Sequence, residues 1–375
     1  MPKPALHLRL AQALELVGDQ GQPQDHHGLP QRNAPAPLRV FLPFIRQRKR
    51  RQQRRLAASA LHPEHGAGTL SLGADQRWHD AGINVSKGEP ILISASGRLF
   101  LNKALEVSVG AKTCLWYRIG SGHINRCISE RHSFIADADG PLYLQAALPG
   151  AFDSPAGTLA TEPAPPHITG SLQVSVSRQP QELPTATAPQ GWQYLWRLGE
   201  AAIFDQCDGT ICCHTHGDVG ILQYDIDRPL TDSSRLSWDW LVDALPSTLP
   251  EHIQPTHDYL SIAVEFDNGL DLTYMWSSQL APDTIFQCPL PYWDQRETHW
   301  VLRNPALHAL HQWHSESRPL LEDYRRAIGG PLPARIVRVW LIANSVFQNN
   351  PGRCQYRAIT LEDADGSTGL LEDGE

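Results

Sequence analysis

Four carboxylates, Asp239, Asp243, Glu265 and Asp267, fall on the polar side of segments that alternate apolar and polar residues. Two carboxyl groups about 5–10 Å apart across a cleft can act as acid and base on a glycosidic bond. Without catalysis, the same groups can accept hydrogen bonds from sugar hydroxyls beside Tyr259, Tyr274 or Trp276. Alternation also puts acids on any solvated outer sheet face. Three readings therefore stand for these residues: a solvated face, a ligand surface, or a hydrolytic pair.

A second group, Cys207, Cys212, Cys213, His214 and His216, lies in CDGTICCHTHGD and has the donor types zinc takes. Its spacing is not that of paired CxxC motifs. On a strand, Cys212 and Cys213 point to opposite sides, which suits buried thiols and surface histidines on a hairpin. The expectation is that the protein uses no cofactor, with zinc at this cluster the alternative. Among the tryptophans, alternation groups Trp238 and Trp240 with apolar neighbours. Trp276, Trp300 and Trp340 also read as core. Trp293, in the loop CPLPYWDQRE with Tyr292 and Asp294 beside it, is the expected exposed platform for a ligand. No GxSxG, HExxH, phosphate-binding loop or dinucleotide fingerprint occurs, which counts against an ordinary hydrolase, kinase or dehydrogenase.

The elements that must position these residues are strands. Leu236, Trp238, Trp240 and Val242 make one period-two run, and Leu260, Ile262, Val264 and Phe266 make another. Asn268-Gly269 supplies a tight turn into a third run through Leu272, Tyr274 and Trp276. The pattern predicts a three-stranded meander over 237–277, with one oily face packed inward and the acidic face outward. Leu307–Trp313 has helical spacing. Glu316–Gly330 is predicted as the clearest helix, capped by Ser317 and stopped by Gly329-Gly330.

The 375 residues, with 30 prolines and 28 glycines, suit a turn-rich all-β protein of two sandwiches, the second carrying one or two helices. The chain divides into a Pro/Gln-rich leader (1–65), a small sandwich (66–178), a Pro/Thr linker (179–190), a second sandwich (191–362) and an acidic tail (363–375). The block Arg46–Arg55 holds seven positive charges, so the rest of the chain carries −15 against an overall −8. It reads as a solvated charge run, and the acidic remainder argues against a broad nucleic-acid surface. No apolar run is long enough to span a bilayer, and no secretory signal stands out, so reduced thiols and a cytoplasmic location are expected.

Two resemblances sharpen these expectations. RWHDAGINVSKGEPILISASGRL, LWYRIGSG, SFIADADGPLYLQAALPGAFDSPAG and GSLQVSV resemble the calcium-dependent galactophilic bacterial lectins over most of 70–177. That family implies a small jelly-roll-like sandwich binding calcium and galactose through one loop. Here the aligned positions are Ala147, Ala151, Ser154 and Pro155, leaving Asp153 as the strong oxygen donor, so calcium binding is expected to be lost. The short Asp137–Gly140 stretch reads as a turn. Further on, WDWLVDALP, DYLSIAVEFD, LTYMWS, VLRN and DYRRAIG, in that order, resemble the bacterial domain-of-unknown-function family 3047 over about 191–362. That resemblance implies a jelly-roll like those of carbohydrate-binding modules, and a periplasmic or extracellular location as the alternative. Ala343–Val346 stands where the family has an acid-rich segment. The resulting expectation is a non-catalytic protein that binds carbohydrate or glycoconjugate through the second sandwich. A polysaccharide hydrolase using an acid pair, and an interaction protein with no small ligand, are the alternatives.

Overall fold

The computed structural model describes residues 69–148, 158–160, 166–178, 187–198, 203–207, 209–290 and 293–371. The basic block Arg46–Arg55 and the lectin-aligned positions Ala151, Asp153, Ser154 and Pro155 lie outside them.

The first sandwich holds β1 (Leu70–Gly73), β2 (His79–Val85), β3 (Pro90–Asn102), β4 (Val107–Val109), β5 (Leu115–Ile119), β6 (Asn125–Arg126), β7 (Arg131–Ile135), β8 (Gly140–Ala146) and β9 (Thr169–Ser177). One sheet runs β1-β9-β3-β4 with β7 also on β3, and the other runs β2-β8-β5-β6. Alternate residues of both, among them Leu72, Ile91, Leu99, Leu115, Leu142 and Leu172, fill the space between them and are wholly buried. Glycine is required where β3 and β9 run closest. A side chain at Gly97 would stand 2.4 Å from the Ser171 carbonyl oxygen, and one at Gly170 would stand 2.3 Å from that of Arg98.

The second sandwich holds β10 (Gln193–Leu198), β11 (Phe204–Cys207), β12 (Thr210–His216), β13 (Val219–Pro229), β14 (Arg235–Ala244), β15 (Tyr259–Phe266), β16 (Asp271–Trp276), β17 (Ile285–Gln287), β18 (Glu297–Arg303), β19 (Trp313–Pro319), β20 (Arg335–Asn344), β21 (Pro351–Asp363) and β22 (Gly366–Gly369). Seven strands form one sheet in the order β10-β13-β20-β15-β16-β18-β17. The facing sheet runs β11-β12-β21-β14-β19, with β22 on β21. Trp238 and Trp240 of the second sheet meet Tyr274 and Trp276 of the first across a core in which all four are buried.

The all-β class and the inward facing of both apolar runs hold, as does the β15–β16 hairpin, where Gly269 takes φ +77°. The meander does not. β14 pairs with β19 and β21, whereas β15 pairs with β16 and β20, so the two runs belong to opposite sheets. The predicted helix is shorter, Leu320–Ala327, because Glu316–Pro319 extends β19 along β14 and Pro319 stands at the helix start without a side-chain cap. A ladder already running along β14 satisfies backbone groups that a helical first turn would leave open. Leu307–Leu310 forms turns, and Trp313 opens β19. The acidic stretch from 363 forms the hairpin to β22, and Leu370 is buried with its carbonyl accepting the Trp192 indole N–H at 2.9 Å.

The two sandwiches touch. Val346 and Phe347, after β20, are buried in the core of the first sandwich, and the Ser108 N–H donates to the Phe347 carbonyl at 3.0 Å. Lys112, also buried, pairs with Asp218 across the same junction.

Candidate functional site

Because β14 and β15 lie in different sheets, the four predicted carboxylates occupy opposite outer surfaces. Asp239 and Asp243 are on the six-stranded side; Glu265 is on the seven-stranded side, with the tryptophan core between. No pair drawn across that divide can flank one bond. Along β14 itself, Asp239 and Asp243 are four residues apart, about 13 Å at strand rise, too far for a hydrolytic pair.

The middle of the seven-stranded outer face is covered, whereas toward its β13 side Asp225 is exposed and Arg338 half-buried. Cys288 and Trp293, with Leu280, Phe286 and Leu290, pack onto Tyr259, Ala263, Met275, Val301, Trp340 and Ile342. Trp293 is therefore not an exposed platform but 6% exposed, edge-on to Trp340. A single turn at Trp293–Gln295 folds the loop back, and the Arg296 guanidinium lies 5.5 Å from the Trp293 ring and 5.3 Å from Trp340. Asp294 is half-buried at this turn, and Tyr292 lies outside the described residues. Glu265 is buried and accepts hydrogen bonds from Arg296 and Arg338, each at 2.9 Å, so its charge is already matched. Asp267 is exposed and accepts the Ala334 N–H at 3.1 Å, bracing the turn.

Beneath that cover lies a polar cluster that the sequence reasoning did not find. Asp271 and Glu297 are cross-strand neighbours, and His299 follows Glu297 on the same face of β18. His257, Tyr259 and Cys288 complete it, all six being buried. Tyr259 Oη and Thr273 Oγ1 donate to Glu297 Oε1 at 3.1 and 3.2 Å. Burial and the Glu297 charge push the Asp271 carboxyl well up. Burial would raise Glu297 too, but His299, His257 and Cys288 outweigh it and hold that carboxyl down. The signal available in the sequence was Glu297-Thr298-His299, whose period of two puts an acid and an imidazole side by side.

The six-stranded outer face is open around Asp239 and Trp313, whereas Leu241 and Cys212 on the same side are buried. Along β14 and β21 the inward residues are buried, whereas Ser237, Asp239, Gln355 and Arg357, with Trp313 and Ser315 of the edge strand β19, are half-buried or exposed. Asp239 organises this patch: it accepts Ser315 Oγ at 2.6 Å and Arg357 Nε at 3.0 Å. The Arg357 guanidinium in turn lies 3.9 Å over the Trp313 ring. Asp243 meets the exposed His311 ring at 2.9 Å. This is an indole with a guanidinium stacked on it, and that guanidinium is held by a carboxylate that also takes a serine hydroxyl.

The Cys/His group of β11 and β12 does not converge among the described residues. Cys213 is in the sandwich core, Cys212 is buried outside that cluster, and His214 and His216 are exposed. Nothing is described of the Cys207 side chain. The described residues that do bring three donor atoms within 4.8 Å of one another are His257, Cys288 and His299.

The family described as "Protein of unknown function (DUF3047)" matches residues 201–360, so the resemblance of the C-terminal half to it holds. No curated protein matches the chain. Among solved structures, the xyloglucanase domain of NopAA, a type three effector from Sinorhizobium fredii in complex with cellobiose, aligns at 7% identity and TM-score 0.29, covering 47% of this chain and 93% of its own. Endoglucanase 3 of family GH12 from Trichoderma harzianum aligns at 10% identity and TM-score 0.27, over 46% and 92%. The CBM22-1–CBM22-2 tandem domain of Xyn10C from Paenibacillus barcinonensis aligns at 10% and 0.22, over 78% and 98%. These are carbohydrate-binding modules and glycoside hydrolases of low similarity to this chain. Among the described residues no helix is long and apolar enough to cross a membrane.

Proposed function

We propose that the protein is a non-catalytic carbohydrate-recognition protein whose ligand lies on the open face of the six-stranded sheet, around Trp313. The observation that carries this reading is the Trp313 patch itself. A pyranose ring offers an apolar C–H face and a rim of vicinal hydroxyls, so a sugar site needs a flat aromatic surface flanked by fixed hydrogen-bonding groups. Arg357 holds the indole by a cation–π contact, and Asp239 holds Arg357 and Ser315. Little side-chain freedom is then lost when a ligand arrives, which favours binding. Recognition rather than hydrolysis fits this face, since Asp239 is already matched by Arg357 and Asp243 stands too far along the strand to assist it.

The test is a glycan array with the full chain, followed by affinity electrophoresis against any polysaccharide it retains. Trp313→Ala should weaken binding at least tenfold, and Asp239→Asn by a smaller factor, with unfolding midpoints close to the parent. An array without a single hit, or binding indifferent to Trp313→Ala, refutes the proposal. Release of reducing ends from a bound glycan would favour hydrolysis instead.

A further inference from the structure

The buried cluster under the 280–296 loop is independent of the Trp313 face and has the make-up of a coordination site. We infer that His257, Cys288, His299 and Glu297 form a closed site for one divalent transition metal, zinc by its donor set. The spacing supports a single ion. Zinc ligands stand about 2.3 Å (sulfur) and about 2.0–2.1 Å (nitrogen, oxygen) from the metal, so adjacent donors on a tetrahedron are roughly 3.3–3.6 Å apart. Cys288 Sγ and His257 Nε2 are 3.6 Å apart, and His299 Nε2 and Glu297 Oε1 are 3.5 Å apart. His257, Cys288 and His299 also offer donor atoms that all lie within 4.8 Å of one another, and Glu297 adjoins them through His299.

The surroundings point the same way. His257 Nδ1 is 2.5 Å from the Glu251 carbonyl oxygen and donates to it, which leaves Nε2 as the acceptor, facing the Cys288 thiol at 3.6 Å. A backbone carbonyl accepting the far ring N–H in this way orients many metal-bound imidazoles. His299 is wholly buried, yet Nδ1 has no hydrogen-bond partner and Nε2 has only the 3.5 Å contact with Glu297. Such a group is costly to bury, and a metal would satisfy it. Tyr259 and Thr273 donate to Glu297 and would fix its carboxylate as a ligand. A thiolate, two imidazoles and a carboxylate, all shut away from solvent, suit a structural ion better than a catalytic one, which keeps an open position. The ion would tie the loop carrying Cys288 and Trp293 to β18 and to the segment before β15. The opposing account is a dry imidazole–carboxylate contact between His299 and Glu297 with no metal.

Full-length protein, expressed in zinc-supplemented medium and purified without chelator, should hold about one zinc per chain by elemental analysis, and Cys288→Ser and His299→Ala should each lose most of it. Replacement by cobalt(II) should give the intense visible absorption of a tetrahedral site and a near-ultraviolet thiolate-to-cobalt band. The cobalt spectrum is read on the parent protein, so the test survives a variant that does not fold. The inference is overturned by parent protein that takes up no stoichiometric zinc or cobalt, by a cobalt spectrum lacking the thiolate band, or by zinc content unchanged in folded Cys288→Ser.

Discussion

Asp323→Ala is the substitution whose cost can be worked most fully from the structure. Asp323, in the first turn of the helix Leu320–Ala327, is buried and accepts three hydrogen bonds: Arg318 Nε at 2.7 Å, Arg318 Nη2 at 2.8 Å and Tyr274 Oη at 2.7 Å. Arg318 belongs to β19, and its guanidinium lies 4.6 Å from the Trp300 ring. The carboxylate therefore joins the helix, the edge strand that begins with Trp313 and a core tyrosine. Removing it strands a phenol donor in the core, at about 1–3 kcal/mol, and an unmatched guanidinium. Breaking a buried ion pair from one side costs about 3–5 kcal/mol in all, and the lower half applies because the Arg318 side chain is 22% exposed. A loss of about 3–4 kcal/mol is expected, or roughly 6–16 °C in midpoint for a sandwich of this size. The assay is urea unfolding followed by tryptophan fluorescence, with Arg318→Met and the double variant completing a cycle. The double variant should be more stable than Asp323→Ala alone, because the orphaned charge is gone. A loss below about 1 kcal/mol for Asp323→Ala, or simple additivity in the cycle, refutes the claim that this network is one unit.

Two further predictions concern the first sandwich. Phe347→Ala empties an aromatic pocket that the second sandwich fills in the first, at about 3–5 kcal/mol; calorimetry should show the first sandwich melting earlier, and a single unchanged transition contradicts the coupling. Burial pushes His132 down to about 4 as it lies against Tyr117 and Phe134, so the native state holds it neutral. Its contribution is complete above the unfolded value near pH 6.5 and is lost as pH falls toward 4, worth about 1–3 kcal/mol once its partial exposure is allowed for. His132→Phe should flatten the fall in urea midpoint across that window, and an unaltered slope assigns it elsewhere.

Much of this architecture was legible along the chain. Period-two alternation is a property of neighbouring residues, so the inward facing of Trp238, Trp240, Leu260, Ile262 and Val264 could be read directly, and Asn268-Gly269 marked the β15–β16 hairpin. Alternation assigns a residue to a face but not a strand to a sheet. Only pairing between distant segments placed β14 beside β21 and β15 beside β20, moving Asp239 and Glu265 to opposite surfaces of the molecule. The same kind of non-local competition turned Glu316–Pro319 from the start of a helix into the end of an edge strand, folded Trp293 onto Trp340, and gathered His257, Cys288, Glu297 and His299 from three separate segments. What the chain determined by itself was the side each residue presents, since that follows from backbone geometry two residues at a time. What the tertiary structure decided was which sides meet and which stay open, because burial and backbone hydrogen bonding are satisfied by the sheet as a whole.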